Sequence, residues 1–128
     1  MGLKFDYIGI VSANINDSIR FYRVLGVEFP DLPHGEDHVE VTLPNGLRLA
    51  FDALSMMKEI DPSWVEPTGQ RLGLGFQCDS PSEVDAAYER VIAEGFRGKT
   101  APWDAFWGQR YAIVLDPDGN EISLFAWN

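Results

Sequence analysis

One cysteine, two histidines and ten basic side chains are all that this chain of 128 residues holds of those types. Each scarcity removes a class of function. The lone Cys78 excludes an internal disulfide, and in an apolar stretch it reads as a small hydrophobe. A catalytic thiol needs a base, and the two histidines, His34 and His38, are not close to it in sequence. Twenty acidic residues against ten basic ones give a net charge of −10 and a pI near 4.4. Such a chain lacks the Lys/Arg clusters that neutralise phosphates, which argues against nucleic acid and anionic membranes as partners. The plain reading of the charge is solubility; the sharper one is attraction for cationic ligands. There is no long uncharged apolar run to cross a membrane. Met1–Asp6 carries charges on both sides of Phe5 and no signal-type apolar core. Asp6 stands where a myristoylation motif needs Ser or Thr. A cytoplasmic protein is the default expectation. No segment is rich enough in Gly and Ser to act as a free linker.

What is present is a repeat. Tyr7-Ile8-Gly9-Ile10 through Tyr22 aligns with Gly73-Leu74-Gly75-Phe76 through Tyr88 at a constant offset of 66 residues. Pro44-Asn45-Gly46-Leu47 through Phe51 aligns with Pro117-Asp118-Gly119-Asn120 through Leu124 at an offset of 73, so the second half carries an insertion between them. A repeat of this length marks a supersecondary unit that cannot bury its apolar face alone.

Alternation and breakers predict the elements. A strand is expected over 3–12, then a helix over about 17–25, capped by Asn14 or Asn16 and stopped by Gly26. Val27-Glu28-Phe29 reads as a strand ended by Pro30, and 31–37 as a loop. Strands over 38–43 and 47–52 flank an Asn45-Gly46 hairpin turn. A short helix is expected within Leu54 to Ile60. The second half repeats the pattern: strand 71–78, helix about 82–94 capped by Ser80 or Ser82 and stopped by Gly95, and a strand near 96–100. The insertion Ala101 to Gln109 reads as a loop, followed by strands over 110–115 and 120–127.

The segments Ser18-Ile19-Arg20-Phe21-Tyr22-Arg23-Val24-Leu25-Gly26, Trp107-Gly108-Gln109-Arg110-Tyr111 and Asp116-Pro117-Asp118-Gly119-Asn120 make the chain resemble the vicinal-oxygen-chelate superfamily: glyoxalase I, bleomycin-resistance proteins and extradiol dioxygenases. The resemblance covers nearly the whole chain. It implies an α+β fold of two tandem βαβββ modules forming a cupped mixed sheet with helices on the outer face. The chain then divides as a single domain over 1–128, with module 1 at about 3–53, a linker at about 54–70 and module 2 at about 71–128. The resemblance also implies metal ligands, His or Glu, in the first and last strands of each module. Matched motif to motif, those positions hold Tyr7, Ala50, Gly73 and Ser123. None supplies a good donor to a divalent ion. No metal and no other cofactor is therefore expected. His38 with Glu40 is a weak alternative pair of ligands; an ion pair with Arg48 or Arg71 is the expected use of those charges.

Residues i, i+2 and i+4 of a strand share a face. The helices should cover Ile8, Ile10, Val39, Val41, Leu47, Leu49, Leu72, Leu74, Phe76, Ile122 and Leu124. The cup then receives Tyr7, Glu40, Thr42, Arg48, Ala50, Asp52, Arg71, Gly73, Gln77, Glu121 and Ser123, a polar and roomy lining suited to a small molecule. Trp103 and Phe106, on the inserted segment, are the rings free to stack on a ligand, whereas Trp107 belongs to the recurrent motif; Trp64 and Trp127 lie elsewhere. The ligand-binding set is thus Tyr7, Glu40, Arg48, Asp52, Trp103, Phe106, Glu121 and Ser123, with no residue assigned to catalysis.

Three functions compete. The first is a metal-free protein of the bleomycin-resistance type that sequesters a small aromatic or cationic molecule, as in antibiotic self-resistance, with no bond made or broken. The second is a glyoxalase- or dioxygenase-type metalloenzyme with a non-standard metal site. The third is metal-free acid–base catalysis by Glu121 with Tyr7. The missing ligands favour the first. Free sheet edges and the resemblance lead to an expectation of a homodimer.

Overall fold

A computed structural model describes residues 2–31 and 35–128. His34 and part of the expected 31–37 loop lie outside the described residues. Among the described residues seven strands and three helices follow in the order β1 (Tyr7–Ser12), α1 (Ile15–Val24), β2 (His38–Thr42), β3 (Arg48–Ala53), α2 (Leu54–Ile60), β4 (Leu74–Gln77), α3 (Pro81–Ala93), β5 (Arg97–Ala105), β6 (Gln109–Leu115) and β7 (Glu121–Trp127). They form two mixed sheets, ordered β1-β3-β2 and β4-β7-β6-β5. In each sheet the first strand runs parallel to the last strand of its own module and pairs on one side only. The repeat is therefore real in space: β1 answers to β4, β3 to β7 and β2 to β6.

The helix boundaries follow local chemistry. Of the two candidate caps on α1 it is Asn14 that acts, its side chain accepting from the Asp17 N–H at 3.1 Å. Of the two on α3 it is Ser80, accepting from the Glu83 N–H at 3.3 Å, with Pro81 at the first helical position. Gly26 and Gly95 end both helices at φ 92° and 89°, a conformation that costs a residue with a Cβ.

Three expectations about the elements fail. Val27–Phe29 is not a strand: among the described residues no strand pairs with it, and it is held by the burial of Val27 and Phe29, by the Val27 N–H donating to the Tyr22 carbonyl at 3.0 Å and by Arg23 donating to the Phe29 carbonyl at 2.9 Å. Its counterpart β5 does form, which is why one sheet has three strands and the other four. The inserted segment is not a loop. β5 runs through it to Ala105, with register shifts between Gly98 and Thr100 and between Thr100 and Trp103. These bulges absorb the extra residues. Leu72, expected on the helix-covered face, lies before β4 and is 85% exposed.

The core spans both modules. Ile19, Phe21 and Tyr22 of α1 pack with Leu49 and Phe51 of module 1 and with Ala112, Val114, Ile122 and Leu124 of module 2. The Tyr22 ring lies between Phe51 and Phe76, at centroid distances of 5.3 and 6.4 Å. Its hydroxyl donates to the fully buried Asp116 at 2.7 Å. Burial and the adjacent carboxyl of Asp116 push the Tyr22 phenol well above its ordinary range. Asp116 also accepts from the N–H groups of Asp118 and Asn120 and from the Asn120 amide, which folds the turn before β7 around it.

A second carboxyl in that turn, Asp118, accepts from the Ala13 N–H at 2.9 Å and from the Ser18 hydroxyl at 3.4 Å. Partial burial raises its pKa above 3.8 despite the lowering effect of the Ala13 contact; Asp116 adds to the rise. A carboxyl whose folded pKa lies above its unfolded one contributes stability that is fully present below the unfolded value and lost as pH rises through the folded value. Urea unfolding of the wild type and of Asp118→Asn between about pH 3 and pH 7 checks this. The wild type's stability relative to the variant is expected to fall as pH rises; a constant or rising difference contradicts it.

Candidate functional site

β1 and β3 lie in register, so Tyr7, Arg48 and Asp52 point to the open face of the first sheet; β2 adds His38 opposite Asp52 and Glu40 opposite Ala50. The Tyr7 ring folds over Gly9, where a Cβ would stand 2.8 Å from it. A side chain at position 9 would push the Tyr7 ring aside. The Tyr7 hydroxyl points to Asp52 at 3.5 Å and the Arg48 guanidinium sits 5.0 Å from the ring centroid. Burial, then the carboxylates of Asp52 and Glu40, raise the Tyr7 pKa, so it stays protonated. Arg48 donates to Asp6 at 3.0 Å and to Glu40 at 2.8 Å. The expected ion pair of Glu40 with Arg48 thus forms, while His38 bonds Asp52 at 2.5 Å. Ala50, expected in a roomy part of the cup, is fully buried.

The open face of the second sheet is aromatic. Trp103 pairs with Tyr111, and Tyr111 with Phe125. Trp107 stands at the turn between β5 and β6, with Trp103, Phe106 and Tyr111 perpendicular or steeply inclined to it at 5.6, 5.0 and 5.2 Å. Its indole N–H donates to Gln109 at 2.7 Å. Phe106 is 91% exposed. Ser123 shares a 2.7 Å hydrogen bond with the Tyr111 hydroxyl. Glu121 is held by Lys99 at 2.7 Å, and the carboxylate that the Tyr7 hydroxyl meets is Asp52. Sequence reasoning missed Tyr111, Phe125 and Trp127 on this face, although the alternation that put Ser123 there extends to both Phe125 and Trp127. His38, read from the sequence as a weak metal ligand beside Glu40 or an ion-pair partner, stands on the polar face opposite Asp52.

The predicted site residues thus gather in two groups, one polar and one aromatic. Two cavities open between the modules, of about 280 and 760 Å³. The larger is lined by Leu25, Val27, Val41, Leu49, Leu74 and Phe76 on the helix side. Neither cavity is lined by Tyr7, Asp52, Trp103 or Phe106, and only Glu121 of the predicted site residues touches the smaller one.

The four positions that would carry metal ligands do not fit a metal. The Tyr7 hydroxyl is turned to Asp52, Ser123 to Tyr111, Ala50 is sealed and Gly73 has no donor side chain. Among the described residues no group of three or more His, Cys, Asp or Glu side chains is placed to hold an ion. Cys78 packs against the core, and burial raises its thiol pKa, as suits a structural role.

A model of the Glyoxalase/Bleomycin resistance protein/Dioxygenase superfamily matches residues 4–124. A solved glyoxalase/bleomycin resistance protein/dioxygenase from Nocardioides is 26% identical, with a TM-score of 0.76 over 99% of this chain and 85% of that one. A family enzyme from Burkholderia phytofirmans superposes at a TM-score of 0.83 with 21% identity, covering 98% of this chain and all of that one, a likeness of fold alone. A Rhizobium meliloti protein named "Putative sugar lactone lactonase" is 29% identical over 97 residues, 67% of this chain but 31% of that protein. The chain thus spans about a third of the length of that relative.

Proposed function

We propose that this chain, which belongs to the Glyoxalase/Bleomycin resistance protein/Dioxygenase superfamily, is a metal-free binding protein for a small, flat aromatic or cationic molecule, of the kind that sequesters an antibiotic. The observation that carries this reading is the chemistry at the four ligand positions: Tyr7, Ala50, Gly73 and Ser123 give no donor set, and Tyr7 fills the space over Gly9. The aromatic face of the second sheet supports it by offering ring surface for stacking and for cation–π contact. The acidic balance of the chain favours the approach of cations. Protection by sequestration needs affinity and copy number rather than turnover.

A thermal-shift screen over planar aromatic and cationic antibiotics tests the reading. A ligand that binds only the folded state raises the Tm. The shift is expected to be the same after dialysis against EDTA. A shift abolished by EDTA and restored by one divalent ion would replace the binding reading with a metalloenzyme.

The proposal includes a homodimer. Among the described residues β1 and β4 each have one unpaired edge, and neither cavity described above joins the polar face to the aromatic one. A second copy covers edges and brings an aromatic face to a polar one. Sedimentation at tens of micromolar, roughly the usual working range for such assemblies, should give a dimer mass; a monomer there contradicts this part of the proposal.

A further inference from the structure

The polar face holds a pair of groups that a pure binding protein does not need. His38 and Asp52 are directly opposed in the antiparallel ladder of β2 and β3, and Nδ1 of the imidazole lies 2.5 Å from Oδ1 of Asp52. A carboxylate at that nitrogen takes the N–H and fixes the tautomer, leaving the lone pair on Nε2. Tyr7 approaches the other Asp52 oxygen at 3.5 Å, so the carboxylate is oriented from both sides. Among the described residues Glu40 is the other charged group close to Nε2. It stands at 3.8 Å, beyond hydrogen-bonding reach, and Arg48 holds it at 2.8 Å. Nε2 therefore faces outward on a half-open surface with its lone pair exposed, and the Glu40 carboxylate nearest to it is itself neutralised by Arg48.

We propose that His38 is a nucleophilic site for activated carboxylic esters, with Asp52 as the residue that positions it. Nε2 attacks the carbonyl carbon. The N–C bond forms as the ester C–O bond breaks, and the leaving group departs with the electron pair as a phenolate or alkoxide. The acylated imidazole carries one positive charge, which the Asp52 carboxylate balances through Nδ1–H. Water then adds to the acyl carbon, the C–N bond breaks, the carboxylic acid is released, and one proton of the water goes to solvent, restoring neutral His38. The balance is ester plus water to acid and alcohol, with no other reactant. This chemistry is independent of the proposed aromatic ligand, since it uses none of the aromatic residues of the second sheet.

The test uses 4-nitrophenyl acetate with the full chain at about pH 8. The chain has two histidines, so the controls are complete. Nitrophenolate release by the wild type should exceed that by His38→Gln at least about tenfold, a modest share of what a positioned side chain can supply. His34→Gln should keep the wild-type rate. In Asp52→Asn, the amide oxygen serves Tyr7 and the NH2 faces the ring, which forces the proton onto Nε2. Imidazole ¹⁵N shifts should report that exchange of tautomers together with loss of the excess rate, while circular dichroism and the urea midpoint confirm the fold. Equal rates for the wild type and His38→Gln, or loss of rate in His34→Gln, overturn the proposal. An unchanged tautomer in Asp52→Asn overturns the positioning role.

Discussion

Asp116→Ala is expected to destabilise the chain by about 3 kcal/mol or more, a large effect for a single polar substitution. The carboxyl is 1% exposed and accepts four hydrogen bonds, from the Tyr22 hydroxyl, two backbone N–H groups and the Asn120 amide. Alanine removes both acceptor oxygens and with them all four hydrogen bonds. Water cannot replace them at Tyr22, which is 0% exposed. A buried hydroxyl left without a partner costs about 1–3 kcal/mol, and the two N–H groups of the turn add to that. The loss also loosens the joint between modules, because Tyr22 belongs to the first and Asp116 to the second. Urea unfolding measures the change directly, and Tm should fall by roughly 10 °C or more for a chain of this size. Tyr22→Phe should cost less, about 1.5 kcal/mol, since three donors to Asp116 remain. A double-mutant cycle between the two should show coupling of at least about 1 kcal/mol. Additive effects, or an Asp116→Ala loss below about 1 kcal/mol, would show that the hydrogen bond is not what joins the modules.

The second large effect concerns recognition. Replacing Trp103 and Phe106 by Ala should weaken binding of an aromatic or cationic ligand by about 5- to 150-fold, equivalent to roughly 1–3 kcal/mol. The fold should survive. Trp103 is half open at a bulged part of β5, and Phe106 lies in the turn beyond it, so neither belongs to the common core. Isothermal titration with a ligand from the thermal-shift screen gives the ratio. Undiminished affinity with an intact fold assigns these rings to structure. In that case Tyr111, Phe125 and Trp127 on the same face become the next residues to truncate. The acidic partners expected for the ligand's charge are already engaged, Glu121 by Lys99 and Asp52 by His38. Attraction for a cation therefore rests on the ring faces and on the net charge rather than on a free carboxylate.

The elements were legible in the sequence because they depend on near neighbours. Alternation put Ile8, Ile10, Ile122 and Leu124 on the helix side, and they pack there. Asn14 and Ser80 were readable as caps since capping is a contact with the next turn of the same segment. The repeat placed the equivalent strands, and the same alignment showed four ligand positions without ligand atoms. What pairs with what was not legible. Whether Val27–Phe29 joins a ladder depends on a neighbouring strand that lies elsewhere in the chain, and so does the fate of Ala101–Gln109, whose bulges keep it in register with β6. Apart from Glu40 with Arg48, charges were readable as residues but not as pairs. Glu121 finds Lys99 and His38 finds Asp52 through ladder registers that composition does not encode. The sequence by itself determined the modules, their faces and the absence of the usual metal donors, all of which follow from local periodicity. Only the tertiary structure decided that Tyr7 closes over Gly9, that Tyr22 ties one module to the other, and that the polar and aromatic surfaces stand apart, because each rests on contacts that strand pairing and packing create.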